Sequence, residues 1–157
     1  MKSIHLEVNG TSHDISVGDQ ELLLDALRGR VGVTSAREGC GVGACGACTV
    51  LCEGMSVSSC MANAARYDGK SLTTADGLAP DDVVIAAFVE CNAMQCGYCI
   101  PGFVLMAKEL LTENPTPSDD DIREHLEGNI CRCASYPEIL AAVRTAAHRM
   151  EGGEGCP

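Results

Sequence analysis

Tryptophan is absent from this 157-residue sequence, and phenylalanine and tyrosine bring the aromatic share to only 3%. A core without large rings must be aliphatic and alanine-rich, and small cores of that kind commonly lean on a staple such as a metal. Positive charge is scarce as well: 11 Lys and Arg stand against 22 Asp and Glu, for a formal net charge of −11. Such a surface repels phosphates and argues against nucleic acid as a partner. No apolar run approaches bilayer-spanning length, so no transmembrane segment is expected. The opening Met1-Lys-Ser-Ile-His-Leu-Glu7 has neither an apolar h-region nor a twin arginine, which sets the expectation of a cytoplasmic protein. No nucleotide or flavin site is expected, and there is no Ser-His-Asp constellation and no paired-carboxylate arrangement. His5, His13, His125 and His148 are scattered and expected at the surface, and Asp119 to Asp121 reads as a solvated helix start. Nothing here points to bond-making chemistry on a substrate.

What the sequence has in quantity is cysteine, 11 in all. An odd count and the close Cys131-x-Cys133 pair point away from a disulfide framework and towards metal binding. The run Arg37-Glu-Gly-Cys-Gly-Val-Gly-Ala-Cys-Gly-Ala-Cys-Thr-Val50 sets Cys40, Cys45 and Cys48 among glycine and alanine. Small residues let a backbone wrap tightly around a bound object and aim its N–H groups inward. Cys-x4-Cys-x2-Cys, with a fourth cysteine further on, is the ligand pattern of a plant-type 2Fe-2S cluster.

The surrounding pattern predicts an α+β fold. Ile4, Leu6 and Val8 alternate with polar neighbours, Asn9-Gly10 supplies a hairpin turn, and a second strand runs through Ile15 and Val17. Asp19 is the expected N-cap of a short helix carrying Leu23, Leu24 and Leu27. Strand, strand, helix and glycine-rich loop is the opening of a β-grasp sheet. Thr49–Cys52 and Met55–Ser59 read as a hairpin turning at Glu53-Gly54. That register sets Cys52 opposite Met55 and Thr49 opposite Ser58, and returns Cys60 to the loop as the fourth ligand. Cys52 lies roughly 13 Å up the strand from Cys48, at about 3.3 Å per residue, and is expected in the core. Ser71 to Thr74 reads as the closing strand.

The segment Ala75 to Pro80 breaks the pattern, giving expected domains at 1–75 and 80–150 and a disordered tail at 151–157 that includes Cys156. Beyond the break the apolar period changes from two to about 3.6. Helices are expected over 81–93, through Val84, Ile85, Phe88 and Val89; over 102–113; from a cap at Ser118 to Gly128; and from Pro137 to Met150. Four helices with short connections make a small bundle. Cys96-x2-Cys99 falls just before one helix start and Cys131-x-Cys133 just before another, so two helix N-termini would converge on four thiolates. Four cysteines also suit Zn2+; the CxC half-site and the iron–sulfur loop upstream favour a second iron–sulfur site.

The runs Glu38 to Val50, Gln95-Cys-Gly-Tyr-Cys-Ile-Pro-Gly102 and Gly128-Asn-Ile-Cys-Arg-Cys133 resemble the iron–sulfur subunit of the molybdenum hydroxylases, the xanthine oxidase and carbon monoxide dehydrogenase family. The resemblance extends to about Met150. It implies a plant-type ferredoxin-like domain and a four-helix domain, each with one 2Fe-2S cluster. Cys40, Cys45, Cys48 and Cys60 would bind the cluster nearer the flavin. Cys96, Cys99, Cys131 and Cys133 would bind the one nearer the molybdenum cofactor, with Gln95 and Cys133 approaching its pterin. It further implies a large subunit carrying molybdopterin, as its cytosine dinucleotide, and a medium subunit carrying FAD, in a dimer of heterotrimers. Electrons would pass from molybdenum through the two clusters to FAD, with an N-heteroaromatic as the expected substrate. A carbon monoxide or aldehyde dehydrogenase, or a reductive member acting on an aromatic thioester, would look alike on this chain. Ala44, Ile100 and Ala134-Ser135 depart from the family's frequent residues, Ser135 keeping a capping oxygen for the last helix. A free-standing ferredoxin would leave the second half unexplained, and a zinc-stapled adaptor would be colourless.

Overall fold

The structure, a computed structural model, describes residues 1–153. Strands β1 (Lys2–Val8) and β2 (Thr11–Val17) form an antiparallel hairpin with Val8 opposite Thr11. At its turn Asn9 and Gly10 hold φ of 53° and 76°, the two positive values that a type I′ turn demands. Asn9 also accepts the Thr74 N–H at 2.8 Å and donates to Thr74 Oγ1 at 2.9 Å, tying the turn to the end of the first half. Strand β5 (Lys70–Thr73) lies parallel to β1 and antiparallel to β3 (Thr49–Cys52), which pairs on its other side with β4 (Met55–Ser58). The strand order β2-β1-β5-β3-β4, crossed by helix α1 (Leu23–Ala26), is a β-grasp. Leu23, Leu24 and Leu27 pack with Ile4, Leu6, Val50 and Leu72 in its core.

The second half is helical: α2 (Val83–Glu90), α3 (Ile100–Glu113), α4 (Asp119–Leu126) and α5 (Tyr136–Met150). They enclose a second apolar cluster that includes Phe88, Phe103, Ile122, Ile139 and Val143. Burying a side chain as large as Phe103 contributes about 1.5–3 kcal/mol. Ser118 Oγ accepts the Asp121 N–H, while the Asp121 carboxylate accepts the Ser118 N–H, a reciprocal capping box that fixes where α4 begins.

The two halves are stitched together at several points. Asp76, in the short turn Ala75–Gly77, accepts the N–H groups of Thr34 and Ser35 at 3.2 and 3.0 Å. Burial opposes its charge, but these donors together hold its carboxyl below the usual range. Glu109 of α3, buried, accepts the Ser56 N–H of β4 at 2.6 Å and lies 3.3 Å from His125 Nε2.

Some expectations need correction. Asp19 does not cap α1: the helix starts after Leu22 with no side-chain cap, because the Ala62 carbonyl takes the Leu23 N–H at 2.7 Å. The helix expected over 81–93 is shorter, capped by Asp82, and Val89 is 60% exposed rather than core. His125 is half-buried against Glu109, not a surface residue. The C-terminal segment does not fray at once: the Glu151, Gly152 and Gly153 N–H groups reach back to the Ala147, Arg149 and His148 carbonyls. The remainder of the expected tail, with Cys156, lies outside the described residues.

Candidate iron–sulfur centres

The first cysteine group is wrapped by its own backbone. Gly41, Gly43 and Gly46 take φ of 66°, 73° and 70°, values that side-chain-bearing residues adopt only at a cost. The loop therefore turns tightly enough for the N–H groups of Val42 and Ala44 to donate to Cys40 Sγ at 3.4 and 3.2 Å. Those two donors draw the Cys40 thiol down to about 7, favouring the thiolate that binds iron. A Cβ added at Gly39 would stand 2.7 Å from Cys45 Sγ, so a larger residue there would have to displace that sulfur.

Cys60 arrives from the hairpin. Thr49 pairs with Ser58 and Cys52 with Met55, across a turn in which Glu53 and Gly54 both have positive φ. Ser59 then locks the return, its N–H and Oγ both donating to the Cys48 carbonyl at 3.4 and 2.6 Å. Burial, followed by contact with Cys48, pushes the Cys60 thiol up to about 11 against the pull of the Gly43 N–H. Cys52 stays at the far end of β3, half-buried against the sheet core, and burial raises its thiol.

The second group is built on helix ends. Cys99 is the N-cap residue of α3, and Cys131 and Cys133 lead into α5 through Ala134, which holds φ 63°. The Tyr98 N–H donates to Cys96 and draws its thiol down, whereas burial pushes Cys99 up to about 12. At Cys131 burial pushes the thiol up, but the Ser135 N–H, Cys99, the Cys133 N–H and the Ser135 hydroxyl together outweigh it and the thiol is lowered. Ser135 does not cap α5 as the sequence suggested. Its hydroxyl lies buried beside Cys131, without a hydrogen-bond partner among the described residues. Gln95 and Cys133 come together, the Gln95 amide donating to the Cys133 carbonyl at 3.3 Å.

In both groups the sulfurs meet in twos: Cys40 with Cys45, Cys48 with Cys60, Cys96 with Cys133, and Cys99 with Cys131. Two thiolates on each of two irons is the donor set of a 2Fe-2S cluster, and the residues present fit that group. The groups are also neighbours. The Ile130 N–H, one residue before Cys131, donates to the Cys45 carbonyl at 3.0 Å. Asn129 packs on Gly46, where a Cβ would come within 2.5 Å of its amide, and a Cβ at Gly102 would strike the Gly46 carbonyl. These seam contacts join residues far apart in sequence, and no local pattern announces them; only the glycines at 46 and 102 hint that something packs close. An apolar hollow of about 450 Å3 between α3, α4 and α5, lined by Phe103, Ile122, Leu126 and Ile139 among others, presents no carboxylate, histidine or thiol.

Comparison with known proteins agrees with this layout. The family model described as "2Fe-2S iron-sulfur cluster binding domain" matches residues 6–79, and "[2Fe-2S] binding domain" matches residues 74–144. The chain is 43% identical over 150 residues to the nicotinate dehydrogenase small FeS subunit of Eubacterium barkeri, covering 94% of this chain and 96% of that protein. It is 40% identical over 154 residues to the nicotine 6-hydroxylase small subunit of Paenarthrobacter nicotinovorans, covering 97% and 93%. Among solved structures it superposes on quinoline 2-oxidoreductase from Pseudomonas putida 86 with a TM-score of 0.91 and 36% identity, covering 98% of each chain. It superposes on the aldehyde oxidoreductase from Desulfovibrio desulfuricans ATCC 27774 with a TM-score of 0.92 and 40% identity, spanning 97% of this chain but 17% of that longer one. The chain therefore belongs to the small iron–sulfur subunits of the molybdenum hydroxylase family, built from two 2Fe-2S domains and serving as an electron carrier that does not itself transform substrate.

Proposed function

We propose that Cys40, Cys45, Cys48 and Cys60 hold one cluster, that Cys96, Cys99, Cys131 and Cys133 hold the other, and that the chain serves an enzyme hydroxylating an N-heteroaromatic compound. The pairing of the eight sulfurs within two adjoining loop systems carries the ligand assignment. When bound, each cluster accepts and releases one electron at a time. The chain's own contribution is to fix, insulate and connect. Backbone N–H groups steady the exposed thiolates Cys40 and Cys96, while buried Cys48, Cys60, Cys99 and Cys131 keep water from the inner faces. The Ile130 N–H to Cys45 carbonyl bond gives a short bonded connection from Cys131 to Cys45.

Family membership implies partnership with molybdenum- and FAD-binding subunits. The surface around Gln95 and Cys133 faces the molybdopterin of the large subunit in this reading, and the exposed Cys40 edge faces FAD on the medium subunit. Assembly is as a dimer of heterotrimers in the cytoplasm. Among the described residues no helix is long and apolar enough to cross a membrane. Similarity to the nicotinate and nicotine enzymes supports the N-heteroaromatic class, with an aldehyde oxidoreductase as the second reading. The test is to purify the native complex and assay nicotinate and quinoline against aldehydes. Turnover of an N-heterocycle is expected; exclusive turnover of aldehydes overturns the substrate assignment. In the same complex Gln95→Ala should lower turnover with both cluster signals intact, and unchanged turnover removes Gln95 from the pterin contact.

A further inference from the structure

Arg37 belongs to the first cysteine loop, where its N–H is anchored on the Ala47 carbonyl at 3.0 Å. Its side chain leaves that loop for the other one. Nη1 donates to the Gly97 carbonyl at 2.6 Å and the Tyr98 carbonyl at 3.0 Å, and the guanidinium lies 5.4 Å from the Tyr98 ring centroid. Tyr98 answers in kind, its hydroxyl donating to the Glu38 carbonyl at 2.7 Å. Gly97 and Tyr98 are the two residues between Cys96 and Cys99, and Glu38 is two residues before Cys40. Each loop thus carries a side chain that grips the other.

One peptide unit has a special place in this strap. The carbonyl of Gly97 accepts from Arg37 at 2.6 Å, and the N–H of the same Gly97–Tyr98 peptide lies on the side of the Cys96 sulfur. A cation on the oxygen of an amide polarises its N–H and strengthens the bond that N–H makes. Hydrogen bonds to cluster sulfur stabilise the added negative charge and raise the reduction potential. We propose that Arg37, carried by the first cluster loop, is a positioning residue for the second cluster, raising its potential through the Gly97–Tyr98 peptide. Tyr98 keeps Arg37 and the peptide in line. The proposal rests on the ligand assignment above.

The experiment is a redox titration of the cluster-loaded protein, following the electron paramagnetic resonance (EPR) signal of each cluster separately, for wild type, Arg37→Met, Arg37→Lys and Tyr98→Phe. Iron, sulfide and two signals in the wild type establish the ligand reading first; their absence there sinks that reading and is distinguishable from failure of the strap. Arg37→Met should make the second cluster harder to reduce by about tenfold in its reduction equilibrium constant, 59 mV for one electron, with a smaller shift at the first. Arg37→Lys, keeping the charge and one donor to a carbonyl, should restore part of the loss. Tyr98→Phe should shift the second cluster in the same direction and by less. An unchanged second-cluster potential in Arg37→Met, or equal shifts at both clusters, overturns the proposal, the latter because it marks a charge acting through space alone. Should Arg37→Met lose its clusters, Arg37→Lys decides: a small drop confined to the second cluster supports the strap, and no drop overturns it.

Discussion

The β-grasp half and the helical half each carry four of the paired cysteines, and they position them by opposite means. In the first, three cysteines share one glycine loop, and the loop's own amides reach Cys40. The fourth depends on a hairpin returning in register. In the second, the cysteines come as two pairs at the starts of α3 and α5, and their geometry depends on how those helices pack. A loop site is fixed by local backbone conformation; a helix-end site is fixed by tertiary structure. Perturbations should therefore separate the halves.

The largest separation should come from the hairpin. Cys60→Ser is expected to abolish or grossly alter the first-cluster EPR signal and leave the second, whereas Cys52→Ser leaves both. The opposite result would move the fourth ligand to Cys52 and undo the register argument. Next, Gly102→Ala should damage the contact between the halves, since its Cβ would land on the Gly46 carbonyl. Overpacking of this kind costs about 1–3 kcal/mol, read as a lower unfolding midpoint; a midpoint equal to that of the wild type would mean that the seam is loose.

The acid response should belong more to the first half. The Arg30 guanidinium, with the Gly18 N–H, holds the Glu21 carboxyl down to about 2, against an ordinary 4.5. A carboxyl lowered in the folded state contributes stability above its ordinary pKa and loses it as pH falls through the folded value. Between those two values the β-grasp half should weaken progressively, and Glu21→Gln should flatten that part of the profile. An unaltered acid profile in Glu21→Gln would assign the acid sensitivity elsewhere. The smallest effect should be Ser118→Ala, which removes a capping box on α4 and costs about 1 kcal/mol. Hydrogen exchange should show that loss in the helical half; a loss spread over both halves would mean that they unfold as one unit.

How much was legible follows the same division. The Asn9-Gly10 and Glu53-Gly54 turns fix register locally, so the delivery of Cys60 could be read by counting residues from a turn. The Ser118 cap could be read because its partner is three residues away. Asp19 misled because the Leu23 N–H is satisfied by Ala62, a partner that local capping logic cannot foresee. Ser135 misled because its hydroxyl lies buried beside Cys131 and accepts no N–H of the helix that follows. Val89 could not be placed because α2 is apolar on several faces, and only packing decides which one stays uncovered. His125 took its meaning from Glu109, on another helix.

The central claim is that eight cysteines divide four and four between the halves, each set holding its own 2Fe-2S cluster. EPR of the reduced, cluster-loaded chain, with iron and sulfide determinations on Cys60→Ser and Cys131→Ser, tests it directly. The account predicts two distinguishable 2Fe-2S signals in the wild type, the first altered or lost by Cys60→Ser alone and the second by Cys131→Ser alone. A single signal abolished by either substitution, or zinc in place of iron in the helical half, would contradict it.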